Sequence, residues 1–169
     1  IDILVYSANT PGGKTFAETT DEACRYFFDV KLFGCIRCMR DVIPHMQKNG
    51  WGRIIIVAGM SSRELRPNNA TNGPVCSALA NFSKQVANEV AGAGILVNTI
   101  HPGSTFTARM KIRIERQARE EGITAEEVLE QHRRSMPIGR LIQPEDIANL
   151  TLFLCSPYAS AITGESIAV

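Results

Sequence analysis

Two short runs constrain this chain more than any other feature: Arg53-Ile-Ile-Ile-Val-Ala and Ile95-Leu-Val-Asn-Thr-Ile. They have the length of strands, and the first is too uniformly apolar to leave one face in water, so they read as strands of a sheet covered on both sides. Ile1-Asp-Ile-Leu-Val-Tyr-Ser has the length and β-branching of another buried strand, and Ser166-Ile-Ala-Val begins a last one. Long amphipathic stretches separate them. Thr19 to Lys48 predicts one helix, with Thr19 and Glu22 at capping-box spacing and Asn49-Gly50 as its stop. A loop rich in Pro and Asn, Arg66 to Pro74, leads into a helix whose apolar stripe is Val75, Ala78, Leu79, Phe82, Val86 and Val90. Met110 to Arg134 is charged and helical, with Thr124 and Glu127 as a second capping pair. Pro144 suits the first turn of a final helix reaching about Ser156. Strand and helix in alternation predict an α/β fold: a doubly wound parallel sheet, or half of one, with right-handed crossovers.

The 169 residues suffice for one domain with a sizeable core. A net charge of +1 gives no reason to expect nucleic acid or an anionic membrane as partner, and no apolar run approaches the ~20 residues of a membrane span. Five cysteines, Cys24, Cys35, Cys38, Cys76 and Cys155, form no regular framework, which fits free thiols in a cytoplasmic protein. Cys35 and Cys38 make a C-x-x-C, but one turn apart in a helix and without a second ligand pair they read as packing neighbours, and no metal is expected. The chain does not begin with Met and opens inside an apolar run; we read it as a piece of a longer polypeptide.

Five segments in order resemble the short-chain dehydrogenase/reductase family. Ile1-Asp-Ile-Leu-Val is similar to the strand before that family's N-N-A-G motif. Gly52-Arg53-Ile54-Ile55 resembles the strand leading to its serine. Ala91 to Gly103 resembles the strand and P-G turn over the nicotinamide. Pro137 to Ala148 resembles the entry to the last helix, and Ile162 to Val169 the final strand. The resemblance spans residues 1–169 as a single domain. It implies a Rossmann-like fold, NAD or NADP as cofactor, and a carbonyl or alcohol as small-molecule substrate. It also implies that the first strands and glycine-rich phosphate loop lie upstream of Ile1, so that this chain alone would hold a dinucleotide poorly.

The family's chemistry rests on a tyrosine acid/base, a lysine one turn later that lowers the tyrosine pKa, a serine on the substrate oxygen and an asparagine that organises a water. Registered on Ser77-Ala-Leu-Ala-Asn-Phe-Ser-Lys, the lysine position holds Cys76 and the tyrosine position Asn72. The serine position holds Gly59, the asparagine position Lys31, and N-N-A-G becomes Tyr6-Ser7-Ala8-Asn9. No tyrosine other than Tyr6, Tyr26 and Tyr158 exists to restore the acid. Ser61 and Ser62 are close enough for a loop to bring one round. An amide at position 72 does not titrate near neutrality, so weak or altered activity is expected.

Lys31 lies between Phe27 and Cys35 on an inward stripe. Desolvated there, it would polarise a carbonyl or act as a base beside Asn72 and Cys76. The plainer and preferred reading is a lysine that snorkels to the rim of an unused cleft. Cys76 is a nucleophile near a helix start or, in preference, a small packing residue. His101 reads as structural. Pro102-Gly103, Thr105, Thr107 and Ala8 stand where the resemblance implies cofactor contacts, against the alternative of a plain turn at a strand end. The functional alternatives are a redox enzyme with replaced groups, a nucleotide-binding or oligomerising module without turnover, and non-redox chemistry in the old pocket. By resemblance the two long helices pair between subunits, giving a homodimer or homotetramer.

Overall fold

The computed structural model describes residues 1–10, 14–64 and 69–169. Four strands, β1 (Ile3–Tyr6), β2 (Gly52–Val57), β3 (Ile95–His101) and β4 (Ser166–Ala168), form one parallel sheet in the order β1-β2-β3-β4. The helices are α1 (Asp21–Phe28) and α2 (Gly34–Asn49), joined by a π-turn at Asp29–Phe33, then α3 (Asn72–Val90), α4 (Ala108–Glu121), α5 (Ala125–Ser135) and α6 (Pro144–Cys155). Every strand-to-strand connection is a crossover, because parallel neighbours cannot be joined by a hairpin.

Side-chain alternation along β2 and β3 divides the core. Ile54, Ile56, Ile95 and Val97 face α1, α2 and α3, where Phe27, Met39, Val42, Met46, Val75 and Leu79 meet them. Ile55 and Ile100 face the other way onto Leu154 of α6 and Ala159. Helices on both faces leave β2 and β3 almost wholly buried, as their composition predicts. A separate cluster, Met110, Ile114, Ala118, Val128 and Leu141, holds α4 to α5.

Several expectations are corrected. Within residues 1–169, β1 pairs with β2 on one side and leaves Ile3 46% and Val5 47% exposed, where its apolar run reads as a buried strand. Thr20, not Thr19, caps the first helix, its hydroxyl accepting from the Ala23 amide; Thr19 instead donates to the Thr15 carbonyl. The stretch from Thr19 to Lys48 is not one regular helix but is widened at Asp29–Phe33. The Met110 to Arg134 stretch breaks at Gly122, and the Thr124–Glu127 capping box opens the second helix. On α3 the buried face is Val75, Cys76, Leu79, Ser83, Ala87 and Val90; Phe82 and Val86 are only half-buried. Small residues win that face because it lies close against β3, where Ser83 and Thr99 share a hydroxyl–hydroxyl hydrogen bond of 2.6 Å. The Asn49-Gly50 stop is as expected, with Gly50 at φ 65°. Of the Arg66–Pro74 loop, residues 66–68 lie outside the described residues.

Candidate active site

The polar residues gather at the carboxyl ends of β1, β2 and β3, the end at which parallel α/β sheets bind ligands. The π-turn carries Lys31, and the start of α3 carries Asn72 and Cys76. From opposite helices they meet: Lys31 Nζ donates to Asn72 Oδ1 at 2.9 Å, to the Ala58 carbonyl at 3.3 Å and to Cys76 Sγ at 3.4 Å. Lys31 is 1% exposed, so the preferred reading of a lysine snorkelling to a rim is overturned. Its stem is enclosed in the core and its three N–H donors have three acceptors, which is how a buried ammonium is tolerated. No carboxylate is among those acceptors. Burial pushes the Cys76 thiol up, and the neighbouring Lys31 opposes that shift.

Gly59, two residues past β2, stands at φ 140° and ψ 153°, a conformation that side-chain-bearing residues rarely adopt. A Cβ there would meet Cys76 Sγ at 3.6 Å, an ordinary contact. Backbone strain rather than space therefore opposes a serine at this position. Ser61 is the serine brought round to the cluster: its Oγ accepts from Asn72 Nδ2 at 3.0 Å and Asn69 Nδ2 at 2.7 Å. Ser62 turns instead to His101, whose Nδ1 lies 2.9 Å from both the Ser62 hydroxyl and the Gly59 carbonyl. A carbonyl only accepts, so Nδ1 carries the proton. Nε2 is then a bare acceptor, buried without a hydrogen-bond partner. Desolvation lowers the His101 pKa and keeps the ring neutral. Sequence reading gave His101 no partner, because Gly59 and Ser62 lie about forty residues away and only the β2–β3 register brings them together.

The Pro102-Gly103 turn leaves β3 tied on both sides: the Met60 amide donates to the Pro102 carbonyl at 3.1 Å and the Gly103 amide to the Val169 carbonyl at 3.0 Å. Thr105 donates to the Gly103 carbonyl at 3.3 Å, and Thr107 caps α4 by accepting from the Met110 amide. Ala8 is half-buried beyond β1, and Thr10, two residues on, has a buried hydroxyl with no hydrogen-bond partner. Unsatisfied polar atoms at the ends of β1 and β3 suit a polar ligand laid across the strand ends.

The family model for enoyl-(acyl carrier protein) reductase matches residues 1–169. The chain belongs to the short-chain dehydrogenase/reductase family. Over 99% of its length it is 32% identical to D-beta-hydroxybutyrate dehydrogenase of Rhizobium meliloti (strain 1021), covering 66% of that protein. It is 30% identical to 7alpha-hydroxysteroid dehydrogenase of Escherichia coli (strain K12) over its whole length, covering 62% of it. The crystal structure of L-sorbose reductase from Gluconobacter frateurii, complexed with NADPH and L-sorbose, superposes with a TM-score of 0.93 at 30% identity over 99% of this chain and 64% of that one. The chain thus spans just under two thirds of these relatives. In this short-chain dehydrogenase/reductase no described helix is long and apolar enough to cross a membrane. Cys35 is fully buried with its Sγ 3.7 Å from Met39 Sδ, and both it and half-buried Cys38 are free thiols.

Proposed function

We propose that the full-length protein is an NAD(P)-dependent oxidoreductase of a carbonyl/alcohol pair that turns over slowly, with a Lys31–Asn72–Ser61 hydrogen-bond chain where its relatives place other groups. One observation carries this reading: the cation at Lys31 binds the amide oxygen of Asn72, whose amide nitrogen in turn donates to Ser61. Linked hydrogen bonds polarise one another. Ser61 Oγ already accepts twice, and its own O–H, for which no acceptor stands among the described residues, is left for a substrate oxygen. Negative charge developing on a carbonyl oxygen would thus be stabilised by a hydroxyl backed by a buried charge. Ala8, Pro102, Gly103, Thr105 and Thr107 would hold the nicotinamide end of the cofactor, which supplies or accepts the hydride. Asn72 cannot serve as acid, and the absence of a positioned general acid costs roughly 10²–10⁴ in rate.

Residues 1–169 would form the C-terminal portion of one Rossmann domain, with the phosphate-binding loop upstream. The exposed Tyr26 and Phe33, on the α1–α2 element, favour subunit pairing into a homodimer or homotetramer.

A second reading has its own support. All three Lys31 donors are already satisfied within the chain, as a module that binds nucleotide without turnover would permit. Titration of the full-length protein with NADH and NADPH, followed by fluorescence, tests binding. A screen of ketones and aldehydes by NAD(P)H absorbance tests turnover. We expect slow reduction that falls at least about tenfold in Lys31→Ala and in Ser61→Ala. Binding without any reduction supports the second reading, and efficient reduction that survives Lys31→Ala removes Lys31 from the chemistry.

A further inference from the structure

We propose that Tyr6, at the end of β1, is the positioning residue that holds the π-turn open and thereby keeps Lys31 in the Asn72–Cys76 cluster. The Tyr6 hydroxyl donates to the carbonyl of Val30, the residue immediately before Lys31. The ring reaches that carbonyl because position 34 is glycine: a Cβ on Gly34 would collide with the Tyr6 hydroxyl oxygen. Gly34 also closes the turn, its amide donating to the Asp29 carbonyl five residues back. Tyr6, Val30 and Gly34 therefore form one fitted contact between the sheet edge and the widened helix.

A π-turn inserts an extra residue into the helical ladder and is less favourable than the α-helix it interrupts, so it persists where neighbours hold it. Besides the hydrogen bonds of Lys31 itself, two contacts on Asp29 and Val30 bear on how this turn is held. The Arg37–Asp29 ion pair at 2.8 Å spans it on the surface, but with side chains 61% and 57% exposed it is screened and contributes little. The Tyr6 bond is partly buried, and burial together with the nearby thiols of Cys35 and Cys38 pushes the Tyr6 pKa up to about 12. The phenol therefore stays protonated and remains a donor throughout the physiological range. Reverting the turn to α-helix would shift Lys31 by about 100° around the axis relative to α1 or α2, enough to withdraw Nζ from Asn72.

This inference rests on the reading of Lys31 as the working cation, and its test needs neither cofactor nor turnover. In the full-length protein labelled with ¹⁵N-lysine, the Nζ resonance of Lys31 is assigned by its loss in Lys31→Arg. A lysine held by three acceptors gives an Nζ–H signal protected from solvent exchange. We expect Tyr6→Phe to raise that exchange rate at least tenfold while backbone amides of Met39 and Val97 keep their protection. Gly34→Ala, which retains the hydroxyl but displaces the ring, should do the same, and Tyr158→Phe, at an exposed tyrosine, should change nothing. A protected Lys31 signal unaltered by Tyr6→Phe overturns the proposal, as does the absence of any protected signal in the unsubstituted protein. If Tyr6→Phe releases Lys31 but carbonyl reduction is absent throughout, the positioning role stands and the catalytic reading falls. If reduction occurs while Lys31 ignores Tyr6, the reverse holds.

Discussion

At the scale of single residues, the cluster is a buried lysine held by an amide and a thiol from another helix. On the register proposed above, Lys31, Gly59, Asn72 and Cys76 would stand at the family's Asn, Ser, Tyr and Lys positions. Lys31 comes from the opposite helix and ends beside positions 72 and 76. If the groups are exchanged as a set, then Lys31→Asn with Asn72→Tyr and Cys76→Lys should raise the carbonyl-reduction rate of the full-length protein by roughly 10²–10⁴, read by NADPH consumption. Gly59 resists the same treatment. At φ 140° any side chain is strained, so Gly59→Ala should lower stability by about 1–3 kcal/mol in urea unfolding. His101 supplies a pH signature. Its folded pKa lies below the ordinary 6.5 because the ring is desolvated. The unfolded chain therefore binds a proton at mildly acidic pH that the folded chain does not. The contribution is complete above the unfolded value and is lost as pH falls toward the folded one. The urea midpoint should drop as pH falls below about 6.5, with a flatter slope in His101→Asn. Lys31, Asn72 and Cys76 were singled out by the register of the family resemblance. That Lys31 is enclosed was not legible in the sequence, because burial there depends on α3 and the Ala58 carbonyl, both distant in sequence.

At the scale of elements, local chemistry predicted what local chemistry decides. The Thr124–Glu127 box and Gly50 are written in a few adjacent residues, and both act as their residue types dictate. Thr124→Ala should cost about 1 kcal/mol by removing an N-cap, measurable in the same urea titration. The π-turn was not legible, since nothing in Asp29-Val-Lys-Leu-Phe differs from an ordinary helical sequence. Its cause lies across space in Tyr6 and Gly34. The buried face of α3 was misjudged for a related reason. Hydrophobicity favoured Phe82 and Val86, whereas the close approach to β3 favours Cys76, Ser83 and Ala87.

At the scale of the whole molecule, the parallel sheet with helices on both faces followed from the two apolar runs. A run of Ile, Leu and Val reads the same whether its strand lies inside a sheet or at its edge. β1 has β2 on one side and exposes Ile3 and Val5, the kind of apolar edge that pairs with other chains. Residues 1–169 expressed alone should therefore self-associate, and Val5→Lys should reduce that association in analytical ultracentrifugation. The opposite edge is secured differently. β4 has only three residues, but Asn98 clasps the approach to it, donating to the Ile162 carbonyl at 2.8 Å and accepting from the Glu165 amide at 3.0 Å. Val169 then lies between the His101 carbonyl and the Gly103 amide. Val169 is thereby stitched to both sides of Pro102, so the last strand and the turn after β3 hold one another in place and a change that loosens either would free both.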